Sequence, residues 1–277
     1  MNARLLAMQL AGYGLCAALL FMLYVAGGEI LSVDVFYHFV VAEEIRSQGL
    51  WADIPWLPFT VLGEAGTDHH WLFHLLIVPF TWLDDRVWGL KLSVVLLAVL
   101  ALAAVHQLFR RLAIPHPFLF AALAMSASLD LPGRFLMLRA QTLALVLFLL
   151  AFLLARDRRY GALLLVSMLF MLSYHGALFV VAIAGLFVLV DLCLDRTLDA
   201  RLGIAVGAGL LLGTLFSPWF PDNVEYLLFH VLFKGGNADP GLVGSEWFPP
   251  SLKELWLLSW PVFLVLAAAV GFYLYRH

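Results

Sequence analysis

Apolar residues in this chain come in long uninterrupted blocks. The blocks at 5–27, 88–109, 115–129, 139–155, 160–175, 177–194, 202–219 and 255–275 carry almost no charge. A half-buried strand alternates with period two, and a surface helix keeps its apolar residues to one stripe; these blocks do neither. A helix crossing a bilayer needs roughly 20 apolar residues. The pattern therefore predicts an all-α polytopic membrane protein, one domain over 1–277 with about eight transmembrane helices. A further apolar stretch, 71–83, is short and holds His74 and Pro79. We expect it to lie at the interface without crossing. That placement gathers Arg4, Arg110, Arg111, Arg156, Arg158, Arg159, Arg196, Arg201 and Arg276 on one side, in short loops. By the positive-inside rule this side is cytoplasmic. Both termini are then expected inside, in the plasma (inner) membrane of a cell envelope.

The polar residues between the blocks are unevenly shared. Two long outer loops are predicted, 28–87 and 219–254, while the inner loops are tight. Acidic residues collect outside, from Glu29 and Asp34 through Asp68 to Glu254; the inner side keeps only Asp157, Asp191, Asp195 and Asp199. Long loops on one face of a rigid scaffold are where function usually sits. Within the first loop, 34–48 reads as an amphipathic juxtamembrane helix. Ser32 or Asp34 can cap it and Gly49 can end it. Phe36, Phe39, Val40 and Ile45 are its expected membrane-facing side. Trp51, Trp56, Trp71 and Trp82 are the kind of aromatic anchors found at headgroup level. The second loop is rich in Pro and Gly and holds a short apolar helix at 224–233.

Composition agrees with this reading. The 277 residues are 64% hydrophobic and 13% charged, and the mean hydropathy is +0.96. A soluble domain of this size could not bury so much apolar surface. The formal charge of −3 and the lack of a basic tract argue against nucleic acid. Cys16 and Cys193 lie in apolar runs and read as small hydrophobes. The run after Arg4 is longer than the roughly 7–15 apolar residues of a signal-peptide core, so a retained first helix is expected.

The candidate chemistry lies on the outer side. Asp34 fits two roles, a helix cap and a catalytic base that takes a proton from an acceptor hydroxyl. Its partner one turn on is His38. Asp68, His69 and His70, with His74 a turn further, form the densest cluster of potential ligands. They read as an interfacial helix start, as direct contacts to a phosphate or hydroxyl, or, through Asp68 and His70, as ligands for a divalent cation. Arg134 and Arg139 flank the outer ends of two helices. They either snorkel toward headgroups or clamp a lipid phosphate. His175 sits at another outer turn, and Glu246 beside Trp247 is a loop-borne candidate contact. No Gly-rich phosphate loop, nucleophile elbow or zinc-protease motif is present. The predicted spans lack mid-membrane charge, which argues against an ion-coupled carrier.

Several of these stretches resemble the GT-C superfamily of integral-membrane glycosyltransferases, which use polyprenyl-phosphate-linked sugars and include the protein O-mannosyltransferases and aminoarabinose transferases. The resemblance rests on Asp34-Val35-Phe36-Tyr37-His38-Phe39 running into Ala42-Glu43-Glu44-Ile45-Arg46-Ser47-Gln48-Gly49, on Asp68-His69-His70-Trp71-Leu72-Phe73-His74, on Arg139-Ala140-Gln141-Thr142-Leu143, and on Tyr174-His175-Gly176, Ser217-Pro218-Trp219 and Glu246-Trp247. It implies an outward-facing site under the first loop. Asp34 would be the base that activates the acceptor. His38, His69, His70, Arg134, Arg139, His175 and Glu246 would bind substrate, with arginines or a metal holding the phosphate leaving group. The expected partners are a lipid-linked sugar donor, membrane lipid and an acceptor of unknown kind. The chain would be a short or a truncated member of the family. Two other readings share the topology: a lipid-binding or transport protein without chemistry, and a non-catalytic subunit of a glycan-assembly complex.

Overall fold

The computed structural model describes residues 3–26, 34–52, 67–128, 131–234 and 251–276. All the regular structure among them is helical. The helices are α1 (Ala3–Ala26), α2 (Asp34–Gln48), α3 (Trp71–Ile77), α4 (Arg86–Arg111), α5 (Pro117–Met125), α6 (Leu131–Phe135), α7 (Ala140–Arg156), α8 (Tyr160–Ser173), α9 (Phe179–Val190), α10 (Ala200–Leu215), α11 (Asp222–Phe229) and α12 (Leu252–Arg276). Two continuous helical stretches, Arg86–Arg111 and His175–Asp195, are long and apolar enough to cross a bilayer by length and composition. Shorter apolar helices include Trp71–Trp82, Ala140–Arg156, Tyr160–Ser173 and Ala200–Leu215.

Helix α2 has the bounds expected of the predicted juxtamembrane helix. Gly49 ends it with a φ of +98°, and its N–H donates to the Ile45 carbonyl at 3.0 Å. A left-handed turn of this kind is open to glycine because it has no Cβ. Its expected membrane face needs correction. Phe39 and Ile45 are buried against protein together with Val35, His38, Val41 and Ala42, while Phe36 is 54% exposed. The spacing 35, 38/39, 42, 45 is one helical stripe, and α3 covers it.

The 71–83 stretch is α3 followed by a 3-10 turn, Val78–Trp82. At 1.5 Å and then 2.0 Å rise per residue it reaches only about 20 Å, too short to cross. Pro79 lies at the start of the tighter turn, where its missing N–H is tolerated. Asp85 caps α4 by accepting from the Val87 and Trp88 amides at 2.8 and 3.3 Å. Arg86 pairs with Glu43 of α2 at 2.8 Å, and the Arg46 guanidinium donates to the Thr81 carbonyl. These bonds pin the surface helix to the bundle.

The predicted span 115–129 is much shorter than expected. The nine-residue α5 reaches about 14 Å, less than half a bilayer core. The predicted span ran on through Ser126-Ala127-Ser128, where the helix has already ended.

The main core runs through Phe73, Ile77, Leu90, Val94, Leu143 and Phe170. Its tightest contact joins α8 and α10. A Cβ on Gly209 would lie 2.4 Å from the Leu164 carbonyl oxygen, and one on Gly213 2.7 Å from that of Met168. At the far end of α7 from Arg139, several of the residues expected on the inner side meet. Arg111 pairs with Asp157 at 3.2 Å, Arg158 with Asp191 and with Asp199 at 3.5 Å, and Tyr160 donates to Asp199 at 2.7 Å.

Candidate functional site

The site lies where α2, the start of α3, α6, the start of α7 and the α8–α9 turn converge. A cavity of about 610 Å³ there is lined by Asp34, His38, His70, Arg134, Arg139 and Tyr174, with Tyr37, Gln141 and apolar neighbours. Asp34 and His38 are one turn apart on α2, so both project to the same side. Arg134 comes from α6, which has only five residues. Arg139 occupies extended backbone immediately before α7.

Arg139 donates to Asp34 from Nη2 to Oδ2 at 2.6 Å; the side chains are 23% and 44% exposed. The Arg139 Nε is buried with no hydrogen-bond partner. Arg134, Arg139 and Asp34 leave one net positive charge among the lining groups. A guanidinium with a buried, unused N–H attracts an anion, and guanidinium geometry suits phosphate.

Behind the cavity wall runs a chain of three side chains. His74 Nδ1 donates to Asp68 Oδ2 at 2.6 Å, and His74 Nε2 meets His38 Nδ1 at 2.8 Å. Asp68 Oδ1 accepts from the His70 amide at 2.9 Å. Asp68, His38, His70 and His74 are all buried. The His70 ring donates from Nδ1 to the Ser173 carbonyl at 3.2 Å and stacks on Tyr174 with an interplanar angle of 15°.

Burial sets the charge states here. It pushes His70 down to about 3, with the neighbouring His74 adding to the effect. It holds His38 well below its ordinary value, assisted by His74, His70 and Arg139. Burial alone would raise the Asp68 carboxyl. The charge of His74 and the hydrogen bonds from His74 and His70 outweigh it and hold Asp68 below the usual carboxylate range.

The expected substrate-binding histidines fall in two places. His38 and His70 face the large cavity. His69 and His175 face a separate small pocket of about 20 Å³, with Thr67, Asn223 and Tyr226. There the His69 ring lies 5.2 Å from His175, 5.0 Å from Tyr226 and 5.6 Å from His230. Thus Asp34, His38, His70, Arg134 and Arg139 are brought together, and His69 and His175 are not part of that group. Glu246, with Trp247, lies outside the described residues.

Asp68 and His70 do not fit a metal centre. Both Asp68 oxygens already accept hydrogen bonds. Among the described residues no group of three or more His, Cys, Asp or Glu side chains is arranged to hold a metal ion.

Sequence reasoning noticed His74 but not its bonds to Asp68 and His38. It passed over Tyr37, Gln141, Tyr226 and His230. The 224–233 helix was expected, and the pair Tyr226 and His230, four residues apart, was a polar signal on it beside Glu225. Comparison with protein-family models, curated proteins and solved structures found no match.

Proposed function

We propose that the protein is a membrane glycosyltransferase that moves a sugar from a polyprenyl-phosphate carrier to an acceptor on the outer face. The observation that carries this reading is Arg139. One edge of its guanidinium is anchored by Asp34, its Nε is unpartnered, and it shares the cavity with Arg134. That arrangement suits a phosphate whose negative charge grows as the sugar departs, and stabilising developing charge is commonly the largest catalytic term. A volume of about 610 Å³ suits a sugar phosphate with part of an isoprenoid.

The surroundings favour a lipid carrier. Large apolar side chains are exposed along the helices, among them Leu194 at 76%, Val265 at 69% and Leu252 at 86%. Contiguous exposed apolar surface of this kind fits a bilayer. In this reading the chain crosses the membrane about eight times with both ends inside, and α3 stays at the outer interface. The short α5 is the weakest of those spans.

Asp34 is held to Arg139 through one oxygen. It fixes the guanidinium for the phosphate. The donor is the lipid-linked sugar, and the acceptor is a hydroxyl compound reaching the cavity from outside. A binding protein without chemistry would also hold the phosphate through Arg139, so the test must separate affinity from transfer. The full chain in nanodiscs should bind a polyprenyl phosphate, read by tryptophan fluorescence, and Arg139→Ala should weaken that binding about tenfold to a hundredfold. Transfer from a polyprenyl-phosphate sugar to water or an acceptor distinguishes the enzyme. Tight binding with no transfer by the wild type would favour the binding protein.

A further inference from the structure

The direction of the chain Asp68–His74–His38 is set by the protonation of His74. Asp68 is ionised and buried, so it accepts, and His74 must carry its proton on Nδ1. When the His74 ring is neutral its Nε2 is an acceptor, and among the described residues the group bonded to it is His38 Nδ1 at 2.8 Å. In that state His38 donates from Nδ1, which leaves its Nε2 with a lone pair. His38 lines the large cavity. The order of the bonds thus prepares one acceptor nitrogen at the wall of the substrate site.

We infer that His38 Nε2 is the atom that takes the acceptor's hydroxyl proton, and that His74 and Asp68 are positioning residues that carry the resulting charge away from the cavity. The inference rests on the glycosyl-transfer reading for its substrate. The acceptor O–H bond breaks and its proton moves to His38 Nε2. The acceptor oxygen forms a bond to the anomeric carbon. The bond from that carbon to the phosphate oxygen breaks, and its electron pair leaves with the phosphate beside Arg139. The Nδ1 proton of His38 passes to His74 Nε2, so the positive charge rests on His74 against Asp68. The reverse shuttle returns the proton to the departing phosphate, and the chain is restored.

This division of labour explains the burial pattern. A protonated His38 standing alone would be penalised by burial and by the nearby Arg139 and His70. Passing the proton inward places the charge next to a carboxylate. The Asp34 carboxylate is already engaged by Arg139 at 2.6 Å. The other groups facing the chain are Tyr37, whose ring lies 4.9 Å from His38 and 5.8 Å from His74, and His70, 5.6 Å from His38 and 6.1 Å from His74. Phe73 closes the apolar side.

The test is nitrogen NMR on the full chain, labelled with 15N-histidine in nanodiscs, with His38→Gln and His74→Gln used only to assign the signals. The neutral His38 ring should carry its proton on Nδ1 and none on Nε2. Finding the proton on Nε2 in the neutral ring overturns the inference. A second readout is the pH profile of transfer. Asp68→Asn removes the carboxylate that stabilises the His74 cation, so the relay binds its proton less tightly. The acid limb should then move to lower pH, and the plateau should fall roughly tenfold to a hundredfold. A lower plateau with the acid limb unmoved would make Asp68 merely structural and sink the relay. The two readings fail separately. Transfer with an Nε2-protonated His38 sinks the relay alone. An Nδ1-protonated His38 with no transfer to any acceptor supports the relay's geometry and sinks glycosyl transfer.

Discussion

Asp34 and Arg139 form a short ion pair at a half-open site, and exposure decides what that pair does. Pairs that reach solvent contribute about 0–1 kcal/mol to stability. With side chains 23% and 44% exposed, this pair falls in that class. Its work is therefore in the cavity and not in holding the fold. Asp34→Asn should leave the thermal midpoint of the detergent-solubilised protein within a few degrees of wild type while reducing transfer at least tenfold. A large loss of stability in a scanning-fluorimetry measurement would make Asp34 a structural cap and remove it from the site. The residue types needed for this chemistry were legible in the sequence, and so was the helix face that Asp34 and His38 share one turn apart. The bond from His38 to His74 was not. It joins residues 36 apart in sequence, and no local spacing encodes which of four nearby histidines meets which partner.

Helix bounds were readable where a special residue marks them. Gly49 ends α2, and Pro79 accompanies the change into the 3-10 turn. Helix faces were much harder to read, because helices that are apolar all round show no stripe. The close approach of α8 and α10 is one such hidden feature, since Gly209 and Gly213 lie among other glycines of equal appearance. Gly209→Ala would place a methyl group 2.4 Å from the Leu164 carbonyl oxygen. It should destabilise the protein by about 1–3 kcal/mol, as overpacking does. Gly203→Ala on the same helix meets nothing within 4 Å. It should be neutral or stabilising by up to about 1 kcal/mol, the gain in helix propensity. Denaturation of the two variants side by side checks this. Equal effects would mean that α8 and α10 are not in close contact.

At the scale of the whole molecule, burial of neutral histidines links stability to pH. His38, His69 and His70 have proton affinities lowered by burial. Below about 6.5 the unfolded chain takes up protons that the folded chain refuses, so stability must fall as pH falls. For His70 the loss continues down to about 3. The thermal midpoint should therefore drop between pH 6.5 and pH 4, and the drop should be smaller in His70→Gln. A midpoint that rises on acidification would contradict the assigned burial. Topology belongs to this scale as well. A cysteine placed at Arg110 should resist an impermeant thiol reagent added to intact cells, and labelling would mean that 71–83 crosses. The helical class was legible from hydropathy alone, but the length of α5 was not.

The most direct test of the account compares the lipid-linked sugar pool and the surface glycans of cells carrying the wild-type protein with those carrying Asp34→Asn, at matched membrane abundance. The account predicts that a polyprenyl-phosphate sugar accumulates in the variant and that a surface glycan loses one residue, whose identity names the donor. An unchanged pool and glycan profile, with a phenotype appearing only when the whole protein is deleted, would contradict glycosyl transfer at this cavity.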